Sequence, residues 1–336
     1  MKNNIFISVI IPVYNVEPYI ERCFWSVVSQ TYRNYECIFI DDCGTDHSIE
    51  ILQKLISDYK GNIPLKIIRH EYNRGASASR NSGMAIASGS FFYFADSDDY
   101  ISPDALSKLV EKTDAHFDVI YGRSLIIKGN DCYLSEIEYP EKSNLDFDFF
   151  YHSLNNRMGC VTTVCNRLYR RDFLETYRIR FCEGNCFEDV LFNAEIFKYH
   201  PRILEIDHIS YFYVIRNNSI TTSLTDHKFE NEIAAVELLK NILTENNSQD
   251  DSSVNRLIGQ RYLRLLIIAP DYGKGFFKKA FDYVHARGFS FKEWKVLFLR
   301  HKILYIQTVI PRCLAFFYCA AIVWIYRVFF WERKQW

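Results

Sequence analysis

The segment that most constrains the fold is FFYFADSDDY, which runs from Phe91 to Tyr100. Four aromatic residues lead directly into a group of three aspartates, Asp96, Asp98 and Asp99. The aromatic run is too short for an ordinary helix and is typical of a strand buried on both faces, as in a parallel sheet. The carboxylates therefore follow the C-terminal end of a strand, which is the edge where open α/β sheets bind ligands.

Two interpretations of these aspartates are open. Neighbouring carboxylates repel one another unless a cation offsets their charge, and Mg²⁺ or Mn²⁺ takes oxygen ligands while leaving positions for phosphate oxygens. The alternative is a solvated acidic turn that caps a helix beginning at Pro103, because aspartate is common in turns and at N-caps. The other motifs of the chain favour the first interpretation.

Three further strands precede this one, and each is followed by a helix. The predicted strands are Ile5–Pro12, Tyr35–Ile40 and Leu65–Arg69, and the predicted helices begin near Pro18, Ser48 and Ala76. Strands that alternate with helices form right-handed crossovers. The sequence therefore predicts an α/β fold with a doubly wound, mainly parallel central sheet.

Residues suited to a nucleotide lie near the same predicted sheet edge. Tyr14 follows the first strand, Asp41 and Asp42 follow the second, and Arg80 lies on the third helix. A nucleoside diphosphate needs such groups: an aromatic ring and a carboxylate for the base, and a fixed positive charge and a cation for the phosphates. The sequence has neither a P-loop motif nor the glycine-rich dinucleotide motif, which argues against both of those binding modes.

Four segments between residues 8 and 99 resemble, in order and spacing, the motifs of family 2 glycosyltransferases, which are inverting enzymes with the glycosyltransferase A fold. The segments are SVIIPVYNVEPYI, FIDDCGTD, NRGASASRNSG and FADSDD. The resemblance implies that Pro12, Tyr14 and Glu17 border the nucleotide. It also implies that Asp41 or Asp42 meets the base.

The same resemblance implies the phosphate and metal contacts. Arg80 is expected near the diphosphate, and Asp96 by the ribose and the metal shell. Asp98 is the implied ligand of Mn²⁺ or Mg²⁺, with Ser97 between the two aspartates among the nucleotide-sugar contacts. Cys43 stands where the family usually has glycine after the paired aspartates, a departure that bears on the backbone geometry of that loop.

Glu188 and Asp189 open a predicted helix. Acidic residues at a helix N-terminus interact favourably with the helix dipole and stabilise the helix by about 0.3–1 kcal/mol. This is the simpler explanation of an isolated Glu-Asp pair. The resemblance implies more, because the family carries a Glu-Asp pair here whose aspartate is the general base. An inverting transfer needs one carboxylate to take the proton of the acceptor hydroxyl. Asp189 is therefore assigned as general base and Glu188 as its support.

The segment YFYVIRNNSIT, which begins at Tyr211, resembles the part of the family that returns toward the donor phosphates. Arg216 is a second phosphate candidate, and the alternative is a surface salt bridge. Val214 stands where the family often has arginine. We expect His208 to be a hydrogen-bonded core or edge residue, and Arg170 and Arg171 to form a solvated charged face.

The chain is predicted to have three parts. They are a catalytic domain at 1–225, with a nucleotide-sugar half at 1–102 and an acceptor half at 103–225, a helical extension at 226–300, and an apolar, aromatic tail at 301–336. The apolar run from Cys313 to Tyr326 is shorter than the roughly 20 residues that span a bilayer. It suits a helix lying in the membrane interface, or equally one packed on protein. If Pro311 to Trp336 is the anchor, deleting it should release the protein from membranes.

Composition narrows the function further. The net charge of −1 offers no argument for binding nucleic acid. Ten scattered cysteines without a signal peptide favour reduced thiols in the cytosol. We expect a cytoplasmic enzyme, or one peripheral on the inner face of the cell membrane.

The resemblance is to the capsule-type branch of the family. It implies the addition of single sugars to glycan or lipid-linked acceptors in surface polysaccharide biosynthesis, and we expect the donor to be a UDP-sugar. A nucleotidyltransferase of similar fold and an inactive sugar-nucleotide-binding scaffold are the alternatives.

Overall fold

The computed structural model of the chain describes residues 5–113, 117–129, 131–134, 163–184, 187–216, 226–245 and 274–286, together with 258, 261, 262 and 265. The chain divides into two compact units. One consists of Met1–Gly184 and Glu188–Asn217, and the other of Asn185–Phe187 and Asn218–Trp336. The first unit contains the sheet and all the predicted site residues.

Four parallel strands form one half of this sheet, in the order β3-β2-β1-β4. They are β1 (Ile7–Val13), β2 (Tyr35–Asp41), β3 (Leu65–Arg69) and β4 (Phe91–Phe94). The connecting helices are α1 (Ile20–Val28), α2 (Ser48–Asp58) and α3 (Gly75–Ile86). In the register, Val13 lies opposite Asp41 and Asp41 opposite Arg69, so the carboxyl ends of these strands meet at one edge.

Successive side chains of β1 point to opposite faces of the sheet, and helices pack on both faces. Val9 and Ile11 pack in the same core cluster as Phe24 of α1. On the other face, a Cβ atom at Gly83 of α3 would lie 2.4 Å from Cγ2 of Ile10. Helices on both faces of a mainly parallel sheet make the fold doubly wound, as the sequence predicts.

One carboxylate is buried within this parallel half. Glu36 of β2 accepts hydrogen bonds from the side chains of Ser8 (2.7 Å), Lys66 (2.7 Å) and Ser88 (2.6 Å). Burial alone would raise the pKa of Glu36, but these bonds lower it to about 2. A buried charge is tolerated when its lone pairs are satisfied in this way, and here it ties β1, β2, β3 and the chain after α3 together.

The second half of the sheet continues from β4 in the order β8-β6-β9-β5, with β7 paired to β6. Its elements are β5 (Tyr100–Ile101), α4 (Ala105–Val110), β6 (Val119–Lys128), β7 (Asp131–Leu134), β8 (Arg167–Arg170), α5 (Arg171–Thr176), α6 (Glu188–Lys198) and β9 (Ile203–Val214). Strand β8 is antiparallel to both of its neighbours, whereas β9 is parallel to β6. The result is a mixed sheet whose parallel half carries the four sequence motifs.

The prediction that Arg170 and Arg171 form a solvated face is wrong. Arg170 donates from Nε (2.9 Å) and Nη2 (2.6 Å) to the carbonyl of Phe117, and Arg171 donates from Nη1 to the carbonyl of Ala87 (2.8 Å). Both guanidinium groups therefore join backbone segments at the end of β8. His208 behaves as expected, with Nε2 3.0 Å from Oδ1 of Asp104.

The second unit is helical where it is described. It includes α7 (Asp226–Thr244) and α8 (Lys274–Ala286), and Glu237 of α7 is hydrogen-bonded to the hydroxyls of Tyr262 and Tyr283. Both helices lie in the segment 226–300, for which the sequence predicts a helical extension. No helix among the described residues combines the length and apolarity needed to cross a bilayer. The tail at 301–336 lies outside the described residues.

Candidate active site

A single arginine joins the two groups of acidic residues that the sequence singles out. Arg80 of α3 places Nη2 2.9 Å from Oδ1 of Asp96, in the loop after β4. Its Nη1 lies 3.3 Å from Oε1 of Glu188 and 3.2 Å from Oδ1 of Asp189, in the first turn of α6. Residues more than ninety positions apart in sequence therefore share one guanidinium group.

The surroundings of Arg80 explain why it is held so firmly. Its side chain is only 4% exposed, and the guanidinium carbon lies 5.2 Å from the centroid of the Phe181 ring. Phe181 stacks on Phe192 of α6, with ring centroids 3.9 Å apart. Burial disfavours the charged form, but the three carboxylates outweigh this and raise the pKa of Arg80 further. The arginine is a permanent buried positive charge.

Asp189 has the chemistry of a proton acceptor. Burial raises its pKa to about 7, and the negative charges of Glu188 and Asp96 add to that rise while Arg80 opposes it. The carboxylate is 22% exposed, so a substrate hydroxyl can reach it. A carboxyl group that titrates near neutral pH is suited to take and release a proton under working conditions.

Asp98 is held on the other side of the acidic loop. Nε of Arg216, two residues beyond β9, lies 2.8 Å from its Oδ2, while Nη2 of Arg22 donates to its backbone carbonyl (2.9 Å). Burial raises the pKa of Asp98 and the charge of Asp96 adds to the rise, with Arg216 opposing it. The structure thus brings Arg216 beside the aspartate implied as a metal ligand.

The paired aspartates after β2 have different surroundings. Oδ1 of Asp42 accepts from the Arg74 amide and lies 2.7 Å from Nδ1 of His70, and its Oδ2 accepts from the Gly75 amide. Asp42 therefore fixes the start of α3. Asp41 accepts from the Cys43 amide (3.0 Å) and pairs with Nε of Arg69 (3.3 Å).

Cys43 adopts the backbone conformation that glycine would favour. Its φ is 57°, in the left-handed region, and its Sγ donates to the carbonyl of His70 (2.9 Å). The departure from the family pattern therefore keeps the turn and adds a side-chain bond to it.

The remaining predicted nucleotide contacts lie around this edge. Tyr14 is 38% exposed, Pro12 is half-buried in β1, and Ser97 is buried between the two aspartates. The Glu17 carboxylate accepts from the His47 amide (3.1 Å), which joins the loops after β1 and β2. The exposed ring of Tyr14 is available to stack on a planar group.

Sequence reasoning missed several positioning residues. Asn81 exchanges two hydrogen bonds with the backbone of Phe181, donating to its carbonyl (2.9 Å) and accepting from its amide (3.0 Å). It thereby fixes the segment that leads to Glu188. Its place next to Arg80 in NRGASASRNSG was the available signal. Tyr211 and Asn15 were also missed, because their partners are distant in sequence.

The carboxylates of Asp96 and Asp98 fit a hard divalent cation. They are 33% and 21% exposed, and each is ion-paired to an arginine through one oxygen. Among the described residues, no group of three or more histidine, cysteine, aspartate or glutamate side chains is arranged to hold a metal by itself. Mg²⁺ and Mn²⁺ sites of this kind use one or two carboxylates and complete the shell with phosphate oxygens and water.

Comparison with known proteins agrees with this geometry. The sequence pattern of the family described as "Glycosyl transferase family 2" matches residues 8–178, just over half of the chain. The chain is 30% identical to glycosyltransferase GlyA of Streptococcus pneumoniae over 234 residues, which is 66% of this chain and 32% of that protein. The alignments to the first three curated relatives span 32%, 62% and 40% of their lengths.

Solved structures show the same fold. The structure of TarS 1–349 from Staphylococcus aureus in complex with UDP-GlcNAc matches with a TM-score of 0.71 at 20% identity, covering 96% of this chain and 91% of that one. The mannosyltransferase PcManGT from Pyrobaculum calidifontis, in complex with GDP-Man and Mn²⁺, matches with a TM-score of 0.52 at 14% identity, covering 96% and 87%. The predicted glycosyltransferase A fold is confirmed.

The family match spans more than half of the chain and assigns the family. The chain belongs to glycosyl transferase family 2.

The contacts of Arg80 predict a large difference between two arginines of the same segment. Replacing Arg80 by Met leaves three carboxylates without their cation and should lower the free energy of unfolding by about 3–5 kcal/mol, as measured by urea denaturation. Replacing Arg74, which pairs with Glu183 at the surface, by Met should cost less than about 1 kcal/mol. Equal losses in the two variants would contradict the role given to Arg80.

Proposed function

We propose that this glycosyltransferase moves a single sugar from a nucleotide-diphosphate sugar to an acceptor hydroxyl, with inversion at the anomeric carbon. The observation that carries the proposal is that Arg80 is ion-paired to both Asp96 and Asp189. Burial raises the pKa of this Asp189 carboxyl to about 7. On one side of Arg80, Asp96 has the chemistry of a donor site. On the other side, Asp189 has the chemistry of a general base.

The donor is proposed to be a UDP-sugar. Two observations support this proposal: the solved neighbour TarS was crystallised with UDP-GlcNAc, and the motif residues implied as nucleotide contacts lie around the carboxyl edge of the parallel strands. Asp41 is the better candidate for the base contact, because its Oδ2 is paired with the exposed side chain of Arg69, whereas Asp42 is bound by buried His70 and by two amides at the start of α3. Tyr14, Pro12 and Glu17 would border the nucleotide, with Ser97 facing the sugar-phosphate side.

The residues proposed to hold Mn²⁺ or Mg²⁺ are Asp98 and Asp96, and the neighbour PcManGT carries Mn²⁺ together with GDP-Man. When bound, the cation would neutralise charge on the departing diphosphate. Arg216, already next to Asp98, supplies a fixed positive charge for the same phosphates.

Asp189 is proposed as the general base. Its carboxylate takes the proton of the acceptor hydroxyl while that oxygen attacks the anomeric carbon from the face opposite the diphosphate, whose bond to the sugar breaks. Glu188 supports this role because its negative charge raises the pKa of Asp189. Arg80 holds both carboxylates in place.

The acceptor is proposed to be a glycan or lipid-linked saccharide of surface polysaccharide biosynthesis. We assign catalysis to residues 1–225, with the acceptor half at 103–225, and a supporting role to the helices of 226–300. The tail at 301–336 is proposed to bring the enzyme to the cytoplasmic face of the membrane.

A donor panel tests the proposed function. Purified protein is heated with UDP-, GDP- and dTDP-sugars, with and without Mn²⁺, and the shift in Tm is measured. A ligand at about 100 times its Kd should add about 2.7 kcal/mol of stability. We expect a metal-dependent shift with one UDP-sugar, lost in Asp98→Ala and kept in Asp104→Ala, an aspartate outside the site. A shift with no donor would favour the inactive-scaffold alternative.

The pH dependence of transfer tests the base. Because Asp189 works only as a carboxylate, kcat/KM for the acceptor should fall about tenfold per pH unit below about pH 7. Glu188→Gln removes a charge that raises this pKa, so the acidic limb should move to lower pH. Glu183→Gln removes a nearby carboxylate that pairs with Arg74 and should leave the limb in place. If the acidic limb of the pH profile in Glu188→Gln lies at the same pH as in the wild type, or at a higher pH, the assignment of Asp189 as the base is contradicted.

A further inference from the structure

A buried hydrogen-bond relay connects the acidic loop to the last strand of the sheet. The backbone amide of Asp96 donates to the hydroxyl of Tyr211 (3.1 Å), and that hydroxyl donates to Oδ2 of Asp99 (2.7 Å). The other oxygen of Asp99 accepts from the amide of Val214 (2.8 Å). Tyr211 is 2% exposed and Asp99 is 1% exposed.

The relay closes a ring around the proposed metal ligands. It runs from Asp96 through Tyr211 and Asp99 to Val214 at the end of β9. Two residues further on, Arg216 returns to the carboxylate of Asp98. The ring therefore begins and closes on the acidic loop, and the relay holds that loop against β9.

Burying the carboxylate of Asp99 at this place is energetically unfavourable. A buried carboxylate beside two other carboxylates is costly unless it is well hydrogen-bonded. Here its two oxygens are satisfied by one amide and one hydroxyl, both from β9. An apolar residue would fill the same space without the cost, so packing alone does not account for the aspartate.

We propose that Tyr211 and Asp99 are positioning residues that set the geometry of Asp96 and Asp98 for the divalent cation. The inference rests on the proposed metal-dependent function of this site. In this proposal neither residue contacts the substrate or the metal. They act by holding the Asp96 backbone and the end of β9, so that the two carboxylates and Arg216 meet the cation and the diphosphate together.

The central experiment compares two tyrosines that each lose one buried hydroxyl. Tyr211→Phe removes the middle of the relay. Tyr35→Phe is the matched control, because Tyr35 is equally buried, lies at the start of β2, and its hydroxyl donates to the carbonyl of Val27 (2.8 Å). Binding of Mn²⁺ in the presence of UDP is measured by the electron paramagnetic resonance signal of the free ion, and the Mn²⁺ dependence of transfer is measured in parallel.

We expect Tyr211→Phe to weaken Mn²⁺ binding about tenfold and to raise the Mn²⁺ concentration for half-maximal transfer by the same factor, because ligand geometry sets affinity in such sites. The kcat at saturating Mn²⁺ should stay within about twofold of the wild type, since the reacting groups are untouched. Tyr35→Phe should change neither quantity, although both variants should lower Tm.

A Tyr211→Phe protein with unchanged Mn²⁺ binding, or one whose kcat falls equally at every Mn²⁺ concentration, would overturn the inference. If that variant does not fold, Asp99→Asn provides the second measurement, because the amide keeps the shape while disturbing the same relay. Wild-type protein that binds no Mn²⁺ in the presence of UDP would instead refute the proposed function itself.

Discussion

The site depends on the ion pairs of Arg80. Its guanidinium group reaches both the loop after β4 and the first turn of α6. Losing this arginine would leave three carboxylates close together without a cation, which is costly in a buried site. The donor and acceptor sides of the proposed reaction are thereby held in a fixed relation.

The same electrostatic logic extends across the sheet edge. Asp98 is balanced by Arg216, Asp42 by two amides and His70, and Asp99 by Tyr211 and Val214. Each of these carboxylates has a partner from another element. Asn15, in the loop after β1, accepts from the Thr45 amide (2.7 Å) and from Arg216 (3.3 Å), so the loops after β1, β2, β4 and β9 converge on one region. Burial and the negative charges of Glu188 and Asp96 outweigh Arg80 and raise the pKa of Asp189 to about 7.

The sequence predicted the parallel half of the fold closely, because buried strands and amphipathic helices leave strong periodic patterns. Strand β3 has the predicted bounds, and β2 differs only by Asp41 at its end. Long-range contacts were harder to foresee: nothing in NRGASASRNSG shows that Arg80 reaches Glu188 and Asp189, or that Asn81 binds the Phe181 backbone. Arg170 and Arg171 were misjudged for the same reason, since their carbonyl partners lie more than fifty residues away in sequence.

The measurement that tests the central claim most directly is transfer and donor binding in Asp189→Asn. The asparagine keeps the shape of the side chain but cannot take a proton, so single-turnover transfer should fall by about 10²–10⁴-fold or more. The Kd for the donor should stay within about threefold of the wild type, because Asp189 is proposed to act on the acceptor hydroxyl and not to bind the donor. Transfer that persists, or donor binding that is lost while the protein remains folded, would contradict the account.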